Sequence, residues 1–390
     1  MNNYDLYLPT RIVFGKGRID ELHDVLRSFG RNVLLTYGGG SIKKIGLYDK
    51  VMEQLKIADK NIFELKGIEP NPKITSVREG VRICKEQKID VILAVGGGSV
   101  IDCSKNIAAG AYHDGDPWEL VLDSSKVGKA VPIVSVLTLA ATGSEYDNSA
   151  VISNAQTNEK LPVFGINLNP AVSFLDPTYT FTVSKQQTAA GSVDCMSHTF
   201  ESYLVKEGNI LTDALCEGML RTVIKYAPVA IANPEDYEAR ANLMMACSFG
   251  CNGILAIGRD TSAWVCHAIE HELSAYYDIT HGVGLAIVTP AFMRYSLNES
   301  TVDRFAQFGE NVFDLPKNAD RMQTARKAIE LTEEFFKSLG MPSKLSELGI
   351  TAEHFDAMAT HIEQHWFAPL SMAIRPVDHD GIVAILKDAL

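Results

Sequence analysis

Apolar residues along the chain fall into two rhythms. Up to about residue 180, short β-rich runs alternate with helical patterns: "NVLLTY" at 32–37, "NIFEL" at 61–65, "DVILAV" at 90–95 and "PIVSVL" at 132–137. Alternation of this kind predicts βαβ units and a mostly parallel sheet. Beyond the Pro/Thr-rich "LDPTYTFTVS" at 175–184 the period becomes helical, with patterns at 186–205, 211–227, 236–257, 261–275 and 319–339. The expected plan is an α/β dinucleotide-binding domain over residues 1–180, Rossmann-like in layout, followed by an all-helical domain over 181–390. No internal repeat or low-complexity segment interrupts it.

Two of the predicted helices carry polar residues where an apolar face would be cheaper. In "GSVDCMSHTFESY" (191–203), Asp194, Ser197, His198 and Glu201 fall at i, i+3, i+4 and i+7, hence on one face. The segment 260–284, "DTSAWVCHAIEHELSAYYDITHGVG", repeats the spacing with His267, Glu270, His271 and Ser274, and His281 follows in a predicted turn beside Gly282. Buried polar stripes need partners. If the two stripes face each other, Asp194, His198, one or both of His267 and His271, and His281 converge as carboxylate and imidazole ligands suited to Fe(II) or Zn(II). Glu201 and Glu270, on the same stripes, are placed to orient those ligands. Two other pairs are read as decoys. His361 and His365 lie on the flank of a helix whose apolar face is Phe355, Met358, Ile362 and Trp366, and are expected to be solvated; Cys247 and Cys251 are expected to be core.

The first half carries glycines after strands. "VILAVGGGSVIDCSKNIA" (91–108) runs strand, Gly96-Gly97-Gly98-Ser99, helix, which lets a phosphate approach bare backbone N–H groups. "NVLLTYGGGSIKK" (32–44) repeats the pattern with Gly38-Gly39-Gly40-Ser41, and a third strand ends in the hydroxyl-rich Thr138-Leu139-Ala140-Ala141-Thr142-Gly143-Ser144. Three such strand ends predict a dinucleotide. No acid follows "VLLTY" to hold a ribose 2′-hydroxyl, while Ser41, Lys43 and Lys44 are at hand, so NADP is expected ahead of NAD.

Composition narrows the partners. The 390 residues carry a formal charge of −12, which disfavours nucleic acid and anionic membrane. There is no apolar run of membrane-spanning length and no secretory pattern in "MNNYDLYLPTRIVFGKG"; the seven cysteines are odd in number and scattered. A cytoplasmic enzyme with reduced thiols, a small-molecule substrate and a homodimeric assembly is expected.

With these residues in place the chain resembles the iron-activated alcohol dehydrogenases, in particular the NAD(P)H-dependent butanol dehydrogenase and broad aldehyde reductase branch. "GGGSVID", "TLAATGSE", "DCMSHTFESY" and "CHAIEHELSAYYDITHGVGLAIVTP" carry the resemblance, which spans nearly the whole chain. It implies the two-domain fold that this family shares with dehydroquinate synthases. It also implies that Asp194, His198, His267 and His281 ligate the metal, leaving His271 as a non-ligand catalytic histidine that relays a proton. The implied cofactor residues are Gly38, Gly39, Ser41, Asn71, Gly97, Gly98, Ser99, Asp102, Thr138, Thr142, Lys160 and Tyr179. One departure is Thr280, where many relatives place Pro before the last ligand. The implied reaction moves hydride between NADP(H) and a primary alcohol or aldehyde such as butanol or butyraldehyde. Alternatives are a diol or hydroxy-acid dehydrogenase using NAD, a non-enzymatic NADP-binding protein, and a dehydroquinate synthase-like lyase, although the stripes offer no Arg or Lys to clamp a phosphorylated acid.

Overall fold

The computed structural model describes residues 1–317 and 320–390. Its contacts divide the chain into two compact units: Tyr7–Val183 with Pro234–Asn252, and Met1–Leu6 with Ser184–Asn233 and Gly253–Leu390.

In chain order the first unit contains β1 (Arg11–Phe14), α1 (Leu22–Arg27), β2 (Asn32–Tyr37), α2 (Ser41–Lys44), α3 (Leu47–Ile57), β3 (Asn61–Leu65), α4 (Ile74–Gln87), β4 (Val91–Gly96), α5 (Gly98–Gly110), α6 (Trp118–Leu122), β5 (Ile133–Leu137), β6 (Ser149–Asn154), β7 (Glu159–Phe164) and β8 (Val172–Leu175). Six strands form a parallel sheet in the order β1-β8-β5-β4-β2-β3. Its central strands read as unbroken apolar runs because both faces are covered. Leu34 and Ile92 enter one core, and Val33, Leu35, Val91 and Leu93 the other. The sheet matters for function because the three glycine- and hydroxyl-rich turns leave the C-terminal ends of β2, β4 and β5, three adjacent strands, the usual place for a ligand in an open parallel sheet. An antiparallel hairpin, β6 with β7, departs from the expected parallel rhythm and carries Lys160 opposite Ser153.

The remaining helices are α7 (Lys185–Tyr203), α8 (Ile210–Ala232), α9 (Tyr237–Gly250), α10 (Val265–Tyr277), α11 (His281–Ser296), α12 (Val302–Val312), α13 (Arg321–Ser338), α14 (Phe355–His365) and α15 (His379–Ala389). Where the sequence reading drew one boundary at 180, the contacts carry α9 into the α/β unit. The reason is its buried side: Met244 lies in the sheet's core, Ser248 Oγ donates to the buried Glu145 carboxylate, and Phe249 packs edge-on against Tyr146. In the helical unit α7 is buried continuously from Thr188 to Tyr203, so its polar stripe has no water to face. Among the described residues no helix is long and apolar enough to cross a membrane.

Candidate metal centre and cofactor turns

Helix α7 starts on Ser184, whose side chain accepts from the Gln187 N–H, and about three turns later presents Asp194 and His198, exposed by only 2% and 4%. Helix α10 presents His267 and His271, similarly buried. His281 is not in a turn, as the sequence suggested, but opens α11, with Thr280 as the residue before it at φ −64°. Gly282 makes this possible: a Cβ there would collide with the Ala190 carbonyl of α7, so only glycine lets α11 approach closely enough for His281 to reach Asp194. Gly284 likewise leaves room for the Glu270 side chain.

The stripes do meet. Around Asp194 Oδ1 stand His198 Nε2 at 3.4 Å, His281 Nε2 at 3.6 Å and His267 Nε2 at 3.9 Å. Ligand atoms of Asp194, His267 and His281 all lie within 4.8 Å of one another. His198 is outside that set of three, although its ring stacks on His267 with centroids 4.7 Å apart. A second overlapping set joins Glu270, His271 and His281. Asp194 Oδ1, His198 Nδ1 and His267 Nε2 are buried without a hydrogen-bond partner. Buried polar atoms left in this state cost kilocalories each, and a carboxylate with imidazole nitrogens aimed at one point is the donor set of a divalent transition metal. The residues therefore fit the ion that the sequence implied.

Two carboxylates sit behind the imidazoles. Glu201 Oε1 accepts the Cys266 N–H at 2.7 Å and the His267 N–H at 3.2 Å and lies 3.4 Å from His267 Nδ1. Glu270 Oε2 contacts His281 Nδ1, and its other oxygen accepts from Ser274 Oγ. Backing the ring nitrogen that faces away from the metal sets the tautomer and makes the facing nitrogen a better donor. The electrostatics follow from burial plus pairing. Burial acts to raise the Asp194 carboxyl, but the surrounding His198, His281 and His267 hold it well below the usual carboxylate range. Burial drives His198 down to about 3, whereas His267, though also opposed by burial, is lifted to about 9 by Asp194 and Glu201.

The expected decoy is corrected in part. His361 is not solvated on a free flank: its Nδ1 lies 2.7 Å from Oε1 of Glu272, an acid 3% exposed on α10, because α14 packs its flank there. His365 is exposed. Cys247 is buried and Cys251 partly so, and neither belongs to a metal-type cluster among the described residues. The sequence reading gave Trp366 to the apolar face of the α14 helix, but it lies just past the end of that helix, and neither it nor Trp264 was read as part of the site; their rings lie 5.3 Å from His271 and 5.0 Å from His267, and a tryptophan three residues before His267 was the available signal.

In the α/β unit most of the residues expected to bind the cofactor lie in the turns that follow strands, with Asp102 inside α5 and Lys160 within β7. A Cβ on Gly98 would strike the Thr142 side chain and one on Gly97 would press on Leu139 at 3.2 Å, so the turn after β4 is closed against the 138–144 loop, tied also by the Thr138 N–H donating to Gly96 O at 3.0 Å. Gly39 and Gly40 face open space, Gly40 at φ +109°, and Ser41 and Ser99 are at least partly exposed on the first turns of α2 and α5. Asn71 adopts φ +49°. Lys160 is buried on β7, and Tyr179 has a buried hydroxyl without a hydrogen-bond partner. Asp102 is committed to the protein: it accepts from Ser144 Oγ at 2.5 Å and the Val151 N–H at 3.0 Å, and burial pushes its carboxyl up to about 6. The sequence reading found no acid after β2, but the neighbouring β3 brings one. Glu64 accepts from Tyr37 at 2.6 Å and Tyr48 at 3.0 Å, and Lys43 Nζ lies 4.4 Å from the Tyr48 ring centroid.

Known proteins resemble the chain over nearly its whole length. Family profiles described as iron-containing alcohol dehydrogenase and as the C-terminal part of the Fe-containing alcohol dehydrogenases match residues 9–177 and 188–390. The NADH-dependent butanol dehydrogenase A of Clostridium acetobutylicum is 51% identical over 388 residues, 99% of each chain. The NADPH-dependent aldehyde reductase YqhD of Escherichia coli is 39% identical, covering 95% of each. Among solved structures, NADH-dependent butanol dehydrogenase A of Thermotoga maritima superposes with a TM-score of 0.95 at 39% identity, covering 100% of this chain and 99% of that one.

Proposed function

The chain belongs to the iron-containing alcohol dehydrogenase family and is an oxidoreductase of the alcohol dehydrogenase and aldehyde reductase kind, and from that premise we propose that it interconverts short primary alcohols and aldehydes, such as butanol and butyraldehyde, with NADPH and one Fe(II) or Zn(II) ion. The observation that carries the proposal is the convergence of His198, His267 and His281 Nε2 on Asp194 Oδ1, where Asp194 Oδ1 and His267 Nε2 are buried without a hydrogen-bond partner. When bound, the metal supplies Lewis acidity toward the carbonyl oxygen and the nicotinamide supplies the hydride.

The chain's own residues do the rest. Asp194, His198, His267 and His281 hold the ion, and Glu201 and Glu270 fix the His267 and His281 rings. His271, buried with its ring 5.6 Å from that of His281, moves the proton between substrate oxygen and solvent. Gly38, Gly39 and Ser41 take the adenosine end of the cofactor. Gly97, Gly98, Ser99, Thr138 and Thr142 take its phosphates and nicotinamide ribose, with Asn71, Lys160 and Tyr179 along its length and Asp102 holding the Ser144 turn. The phosphorylated-acid lyase reading gains no support from the relatives above. Seven free cysteines, six of them buried, support a reducing, cytoplasmic setting; a homodimer is the proposed assembly, to be read by light scattering.

NADPH is proposed because the β2 turn is open and lined by Ser41 and nearby Lys43. A second reading, NADH, is favoured by the Glu64 carboxylate and by the names of the butanol dehydrogenases. The test is kcat/KM for butyraldehyde with each cofactor in wild type and Gly39→Asp, since a side chain at Gly39 meets nothing within 4 Å. Each charge-assisted contact to a 2′-phosphate is worth roughly 1–3 kcal/mol, so the wild-type ratio of NADPH to NADH should be about tenfold or more, and the aspartate should collapse it. A wild-type ratio below one selects the second reading. Absence of turnover with either cofactor in metal-loaded protein would remove the proposal.

A further inference from the structure

Helix α10, which carries His267 and His271, begins in an unusual way. Its first-turn neighbour Trp264 has φ +54° and ψ +46°. Seven non-glycine residues among those described have positive φ, and the other six are Asp, Asn or Lys in turns and helix ends, residues that tolerate this region far better than a bulky ring. A strained tryptophan persists only where its surroundings hold it, and such residues concentrate at working sites. Here the strain aims the indole edge-on at two imidazoles, with centroids 5.0 Å from His267 and 5.8 Å from His198.

A second indole is tied to the same spot. Trp366, just past the end of α14, donates its Nε1–H to the carbonyl of Ala263, the residue before Trp264, at 3.0 Å. Its ring stands edge-on to His271 at 5.3 Å, and Phe367 lies beside it at 4.8 Å with the two rings tilted by 45°. The two tryptophans are partly exposed and Phe367 is 48% exposed, while His281 keeps 21% of its side chain accessible. Partly exposed aromatic side chains thus border the histidine cluster. The helices carrying the ligands add no nearby counter-charge for an anionic substrate: α10 has no Lys or Arg, α7 has only Lys185 at its first position, and Arg294, in the last turn of α11, is paired with Asp388 and Glu333.

We propose that Trp264, Trp366 and Phe367 are the specificity-determining wall of the substrate site, selecting uncharged aldehydes by burying their alkyl tails. The inference rests on the reading of this centre as the place where the carbonyl is reduced. A methylene moved from water to an apolar wall gives up to about fourfold in kcat/KM. In metal-loaded wild type, kcat/KM should rise from acetaldehyde to hexanal and be at least a hundredfold lower for glyoxylate than for acetaldehyde. Trp366→Ala and Phe367→Ala should flatten that rise, losing about tenfold or more on hexanal, mostly in KM, and less on acetaldehyde. His365→Ala, on the exposed side of α14, should keep the wild-type profile. If Trp366→Ala loses its metal or its fold, the half-exposed Phe367 decides. A flat wild-type profile, efficient turnover of glyoxylate, or a Phe367→Ala profile parallel to wild type would overturn the inference while leaving the aldehyde reductase reading intact. No turnover of any aldehyde would instead strike at that reading.

Discussion

Glu201 is where structure and chemistry can be separated most cleanly. Its Oε1 accepts two backbone N–H groups at the start of α10, from Cys266 and His267, both buried, and lies beside His267 Nδ1. Glu201→Ala leaves two buried donors unpaired at roughly 1–3 kcal/mol each, so the ion-free protein should lose about 2–6 kcal/mol. Glu201→Gln keeps an acceptor oxygen; exchanging charge-assisted bonds for neutral ones about halves their strength, for a loss of roughly 1–2 kcal/mol. Both changes remove the negative charge behind His267, so both should weaken metal binding by about 10- to 100-fold. The assay pairs denaturation of ion-free protein with a metal titration against a chromophoric chelator. The signature is a divergence: stability ranks wild type, Gln, Ala, while metal affinity drops already with Gln. Wild-type affinity in Glu201→Gln would refute the reasoning and leave Glu201 as a helix-capping residue.

Other expectations follow from the same geometry. His198→Ala should lose most of its metal and its turnover, His271→Ala should keep metal but lose turnover in a pH-dependent way, and His365→Ala should match wild type by metal analysis and assay; metal loss in the His271 variant alone would exchange the roles of the histidines. Burial, partly offset by the Ser248 hydrogen bond, raises the Glu145 carboxyl from an ordinary 4.5 to about 7. A raised acid contributes its stability fully below the unfolded pKa and loses it as pH climbs through the folded one. Glu145→Gln should therefore gain on wild type between pH 5 and 8, by up to about 3 kcal/mol, read from thermal midpoints; a pH-independent difference would count against it. Thr280→Pro meets a φ of −64° already suited to proline and should raise the midpoint by about 1–4 °C, whereas a fall would mean the turn needs the Thr280 N–H.

Much of the protein was legible without its tertiary structure, because local periodicity and chemistry are written in local sequence. The runs 32–37 and 61–65 are strands to the residue, the stripes at 194–201 and 267–274 do lie on buried helix faces, and the glycine turns follow the strands as read. The short strands β1 and β8 escaped because their pairing partners are distant in sequence, and the β6-β7 hairpin, though local, escaped because its strands are short and of ordinary composition. The order of the sheet, which places the turns after β2, β4 and β5 side by side, is likewise a property of long-range pairing.

At the site, spacing proposed which residues converge and left His267 and His271 equivalent. What separates them is packing across elements: Glu201 lies behind one, Trp366 stands against the other, and Gly282 admits His281 only because α11 presses on the Ala190 carbonyl. Tertiary contact also moved α9 into the α/β unit, set Glu64 of β3 against the hydroxyls of Tyr37 and Tyr48 beside a strand end that looks acid-free in sequence, and turned His361 from a surface residue into the partner of buried Glu272. Sequence determines which face of an element is polar, since that follows from a fixed number of residues per turn. Which neighbour that face meets depends on how the elements pack, and only the folded chain decides it.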